Sequence, residues 1–120
     1  MEACLFLILA LLFPGQAVPS DWQQVATRDK DRMFVDTRSI RGERNRRSLT
    51  VKITTDNTVE RHLDLVIDCT AKTFEPVAGR EVENGVVLRT MPTPTETGKA
   101  EPIRTSDPGE AAVLRLACGG

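Results

Sequence analysis

Five arginines fall within ten residues, Arg38, Arg41, Arg44, Arg46 and Arg47, with one acid, Glu43, among them. A guanidinium is planar and donates in a fork, so such a cluster suits carboxylate, sulfate or phosphate groups. The cluster occupies the predicted connection before a strand that starts near Leu49. It is therefore the candidate partner-binding surface, with a protein or an acidic glycan as partner. The simpler reading is a solvated hairpin tip that discourages edge-to-edge strand pairing.

Two other constellations carry reactive groups. Asp36 and Ser39 could pose as carboxylate and nucleophile, but a nucleophilic serine needs a base close by and the chain has one histidine, His62. Asp36 is expected instead to cap the turn that leads to Ile40, because Asp and Ser bond readily to local backbone. His62, Asp64 and Asp68 recur at even steps on one strand face. Three ligands on one extended strand diverge and no second cluster completes a metal shell, so this is expected to be a solvated face with a histidine able to titrate near neutral pH. There is no glycine-rich phosphate loop, no CxxC and no paired catalytic carboxylate. No enzymatic activity, cofactor or metal is expected.

Residues 1–17 look like a removable export leader, with an apolar run from Leu5 to Phe13 and small residues, Gly15 and Ala17, before the expected cleavage point. The run is too short to span a bilayer, which takes roughly 20 apolar residues. It carries Glu2 in place of the usual basic residue. Cys4 is expected to leave with it, and the remainder, 18–120, is one domain by length. Loss of Glu2 leaves sixteen acids against sixteen Lys and Arg. A neutral domain has no global electrostatic reason to bind nucleic acid or an anionic membrane. Two cysteines remain, Cys69 and Cys118. Behind an export leader, an even pair predicts one disulfide formed in an oxidising compartment.

The apolar pattern is mostly of period two, which signals half-buried antiparallel strands. Leu49, Val51 and Ile53 alternate with Ser48, Thr50, Lys52 and Thr54. Leu63, Leu65, Ile67 and Cys69 share one face of the next strand, which places Cys69 toward the core, and Asp56-Asn57 supplies the turn between the two. A third strand is expected over Thr73 to Ala78, and Asn84-Gly85 marks a tight hairpin between Arg80-Glu81-Val82 and Val86-Val87-Leu88. Upstream, Trp22 to Thr27 and Met33 to Asp36 predict a hairpin over Arg28-Asp29-Lys30-Asp31, with Trp22 as a core plug. Residues 91–107, with Pro92, Pro94 and Pro102, read as a loop.

The loop ends at Asp107-Pro108-Gly109-Glu110. Asp107 suits an N-cap, Pro108 the first helical position and Glu110 the reciprocal capping-box contact. A helix follows through Cys118 and stops at Gly119-Gly120, with Val113, Leu114, Ala117 and Cys118 on a stripe toward the sheet. A core-facing strand cysteine and a core-facing helix cysteine can meet. The predicted fold is α+β, an antiparallel sheet of about six strands with one C-terminal helix packed on it and a single disulfide, Cys69–Cys118.

Asp21-Trp22, Phe34-Val35-Asp36, Ser39-Ile40, Ile67-Asp68-Cys69, Asn84-Gly85 and Asp107-Pro108-Gly109-Glu110 through Ala117-Cys118-Gly119 together resemble the surface-adhesin protein E family of small exported bacterial proteins. The resemblance covers the whole domain after the leader. It implies the same sheet-plus-helix fold and cysteine pairing, and an exported module, in the periplasm or at the cell surface, that binds host matrix or plasma proteins. The alternative is a periplasmic inhibitor or partner of an envelope enzyme. Pairing of strand edges into a homodimer is left open by the sequence.

Overall fold

The computed structural model describes residues 20–91 and 100–119. The leader, Cys4, Pro92 and Pro94 lie outside them. Six strands form an antiparallel meander in chain order: β1 (Trp22–Arg28), β2 (Asp31–Gly42), β3 (Arg46–Thr54), β4 (Val59–Asp68), β5 (Thr73–Glu83) and β6 (Val86–Met91). A two-residue strand, β7 (Glu101–Pro102), pairs with the start of β5. The helix α1 (Pro108–Cys118) lies across β1, β2 and β3.

Alternation decides what each strand buries. Val35, Leu49, Val51, Leu65 and Ile67 point to the helix side, where they meet Val113, Ala117 and Ile103 in one buried cluster. Burying each such side chain contributes about 1.5 to 3 kcal/mol. The turns follow local chemistry. Asn84 and Gly85 both take positive φ, 51° and 79°, as a type I′ hairpin requires. At the β3–β4 turn the Asn57 side chain accepts from the Val59 N–H at 2.9 Å.

Asp107 caps α1 by accepting from the N–H groups of Gly109 (2.9 Å) and Glu110 (3.1 Å), and Gly119 closes it in the left-handed region with its N–H on the Arg115 carbonyl. The predicted capping box does not form. Glu110 reaches past Asp107 and accepts from the Arg104 backbone N–H at 3.0 Å and from its guanidinium at 2.7 and 2.9 Å. Asp107 already donates its own N–H to the Arg104 carbonyl, so Glu110 satisfies the donor left over. The disulfide joins Cys69, just past β4, to Cys118 in the last turn of α1, with Cα atoms 5.7 Å apart.

Three further expectations are corrected. The segments Thr73–Ala78 and Arg80–Val82 are one strand: the ladder passes from Asp64↔Ala78 to Leu65↔Pro76, which leaves Val77 as the inserted residue of a bulge. Part of the 91–107 loop is β7, held to the sheet through the Ile103 N–H and the Lys72 carbonyl. Trp22 is no core plug. It pairs with Asp36 on the sheet face turned away from the helix.

Candidate functional site

Among the described residues the sheet is bounded by β1 on one side and by β6 with the short β7 on the other, and β6 is the unusual strand. Its Val86, Val87 and Leu88 are 63%, 50% and 51% exposed, and with Val77 they make up the exposed large hydrophobics among the described residues. The register is irregular here: Val86 and Val87 alternate between the two faces of the sheet, and the break falls at the next residue. Glu81 pairs with Arg89 and Val82 with Val87, so Leu88 is the extra residue of a bulge. A bulge breaks the regular edge ladder and works against indefinite strand pairing. What β6 offers is therefore an apolar side-chain surface. A polar rim borders it, where Arg89 bonds Glu81 at 2.6 Å. The signal for this surface was in the sequence, as three apolar residues directly after a tight turn, but those residues read there only as a hairpin strand.

The arginine cluster divides. β2 runs on through Gly42 and β3 starts at Arg46, so only residues 43–45 form a connection. This corrects the expectation that all five arginines sit on one. Arg41 pairs with Ser48, and Arg46 with Asp68, on the face away from the helix; Arg47, opposite Ile67, points to the helix side and is half-buried, with Nε enclosed and no hydrogen-bond partner. Arg38 is exposed within an irregular stretch, residues 37–40, that lies against Leu49 alone. Arg44 is at the tip.

Asp36 and Ser39 build that irregular stretch. Asp36 Oδ1 accepts from the N–H groups of Asp21 (2.9 Å) and Arg38 (3.1 Å). Ser39 Oγ donates to the Asp36 carbonyl at 2.6 Å and accepts from the Thr50 N–H at 2.8 Å, taking the place of a strand partner. Both groups serve the backbone, as the capping expectation for Asp36 requires.

The face away from the helix is packed where it was expected to be solvated. The His62 side chain is 13% exposed, stands edge-on to Trp22 with centroids 5.3 Å apart and has Nε2 3.1 Å from Glu60 Oε1. Lys52, 14% exposed, sets Nζ 4.4 Å from the Trp22 centroid and 5.0 Å from that of Phe34, and 3.8 Å from Glu60 Oε2. Asp64 is taken by Thr50 and Arg80, and Asp68 by the N–H groups of Thr70 and Ala71. Among the described residues no three His, Cys, Asp or Glu side chains gather as metal ligands.

On the helix side, an apolar cleft of about 180 Å³ lies between α1 and the central strands, lined by Met33, Ile53, Leu63, Phe74 and Val113, with Glu110 at its rim. It exists because the helix covers only the first half of the sheet. No helix among the described residues is long and apolar enough to cross a membrane. Comparison of the chain with protein-family models, curated proteins and solved structures found no match.

Proposed function

We propose that this chain is an exported, non-catalytic binding module, similar in role to surface-adhesin protein E, and that its protein partner docks on β6. The observation that carries the reading is the run Val86-Val87-Leu88, at least half exposed on an edge strand, in a fold whose other apolar side chains are largely covered. Exposed apolar side chains clustered on an edge strand beside a polar rim are a usual signature of a protein contact. The Cys69–Cys118 bridge supports an oxidising compartment, and the family resemblance supports a host matrix or plasma protein as the partner.

Two measurements test this. Fractionation of the source cell should place the protein at the outer surface or in the medium, with intact mass showing cleavage near Ala17 and two hydrogens fewer than the reduced chain. Capture on immobilised matrix and plasma proteins should then fail for the variant Val86→Thr, Val87→Thr, Leu88→Thr, which keeps β-branched strand formers while removing the apolar surface. Confinement to the periplasm would favour the role of partner to an envelope enzyme. Equal capture by parent and variant would remove β6 from the binding surface.

A further inference from the structure

We infer that the β2–β3 end of the sheet is a separate binding site for a sulfated or carboxylated polysaccharide, held by Arg41, Arg44 and Arg46. The chain as a whole carries a formal charge of −1, so attraction to a polyanion has to come from a local patch. The ion pairs among the described residues engage Arg28, Lys30, Lys52, His62, Arg80, Arg89 and Arg104. None engages Arg41, Arg44 or Arg46, all three of which are exposed. Arg32, Arg61, Lys72 and Arg115 also stand outside these ion pairs, but among the described residues only the β2–β3 end gathers three such arginines within six residues of chain.

The register sets the geometry. Arg41 faces Ser48, and Arg46 lies two residues from Ser48 on the same strand, so the two arginines are diagonal neighbours on one face. Such neighbours have backbones roughly 7 to 8 Å apart. Arg44 extends the array at the tip. Glu43 shares the tip, and Asp68 stands opposite Arg46, but Asp68 Oδ1 is turned into the β4–β5 turn, where it accepts from the Thr70 and Ala71 N–H groups.

The tip is also held in shape. The Asn45 carbonyl accepts from the Cys69 N–H at 2.8 Å, beside the disulfide that ties this end to α1. Gly42 has φ +116°, and a Cβ there would lie 2.5 Å from the Arg46 carbonyl oxygen. A preformed tip avoids the ordering cost of a flexible loop.

The ligand class follows from what surrounds the guanidiniums. Residues 41–46 are Arg, Gly, Glu, Arg, Asn and Arg, with no apolar side chain to anchor a peptide. One exposed ion pair is weak in water, so useful affinity needs a ligand that offers several anions at once. A polyanionic sugar chain meets both conditions. This site is independent of the β6 reading, and the two can fail separately.

Heparin serves as the probe, with hyaluronan as the carboxylate-only arm and poly-glutamate as the peptide arm. The parent should be retained on a heparin column at low salt and released as salt rises, through screening. The variant Arg41→Ser, Arg44→Ser, Arg46→Ser should bind roughly ten- to a hundredfold more weakly. A control with the same loss of charge at the opposite end, Lys30→Ser, Arg32→Ser, Arg61→Ser, should bind like the parent, as should the β6 threonine variant. Matching thermal melts establish that each is folded. Absence of parental retention at low salt, equal weakening in both charge variants, or preference for poly-glutamate over both sugars would overturn the inference.

Discussion

The Lys52 ammonium stands 4.4 Å from the centroid of Trp22, on the sheet face opposite the helix, with Glu60 Oε2 3.8 Å away. A cation over an aromatic face is worth about 0.5 to 2 kcal/mol, more as water is excluded. Trp22 is the one tryptophan of the chain, so its emission reports this contact directly. Lys52→Met keeps the aliphatic stem and removes the charge. It should shift Trp22 emission and lower stability by about 1 kcal/mol. Unchanged emission and an unchanged denaturation midpoint would show that the contact carries no energy.

Cys118→Ala tests the staple. The bridge spans a sequence separation of 49. Loss of a native disulfide from a small secreted domain costs about 2 to 5 kcal/mol. The eleven-residue helix would be marginal alone. Denaturant melts should therefore show a lower midpoint, with amide exchange in α1 accelerated most.

Asp107 couples the helix to pH. The N–H of Glu110, then that of Gly109, then the Arg28 and Arg104 guanidiniums hold its carboxyl below the usual Asp value against the opposing effect of burial. A depressed folded value means that the cap contributes fully above the unfolded pKa of about 3.9 and that its contribution is lost as pH falls through the folded value. Asp107→Ala should cost about 1 kcal/mol at neutral pH. The difference between parent and variant should shrink in melts run below about pH 4. A difference that persists there would place the effect in packing.

Gly42→Ala probes the tip. Both the positive φ and the contact of an added Cβ with the Arg46 carbonyl oppose it, so stability should fall by at least about 1 kcal/mol. By contrast, Gly85→Ala meets nothing within 4 Å, and its loss should come from the left-handed backbone alone. A melt of Gly42→Ala no worse than that of Gly85→Ala would show that the tip is free to rearrange.

The features legible along the chain were local ones. Period two over Leu49–Ile53 and Leu63–Cys69 defined two strands and the side of the second on which its cysteine lies, because alternation is a property of the extended backbone. Asn84-Gly85 and the Asp107 to Gly119 boundaries were legible for the same reason, since turns and caps are satisfied by neighbours in the chain. The tertiary structure decided everything that depends on which elements become neighbours. The irregular stretch at residues 37–40 resets the alternation before Arg41, so no count along the sequence could place Arg41 on the face it shares with Arg46. Trp22 lies opposite the core because its face is set by pairing with Asp36, not by its size. Glu110 serves Arg104 because the chain returns from β7 beside the helix start. Val86, Val87 and Leu88 are exposed because no described strand follows β6 on that edge, and exposure is a property of the assembled sheet, invisible in a run of three apolar letters.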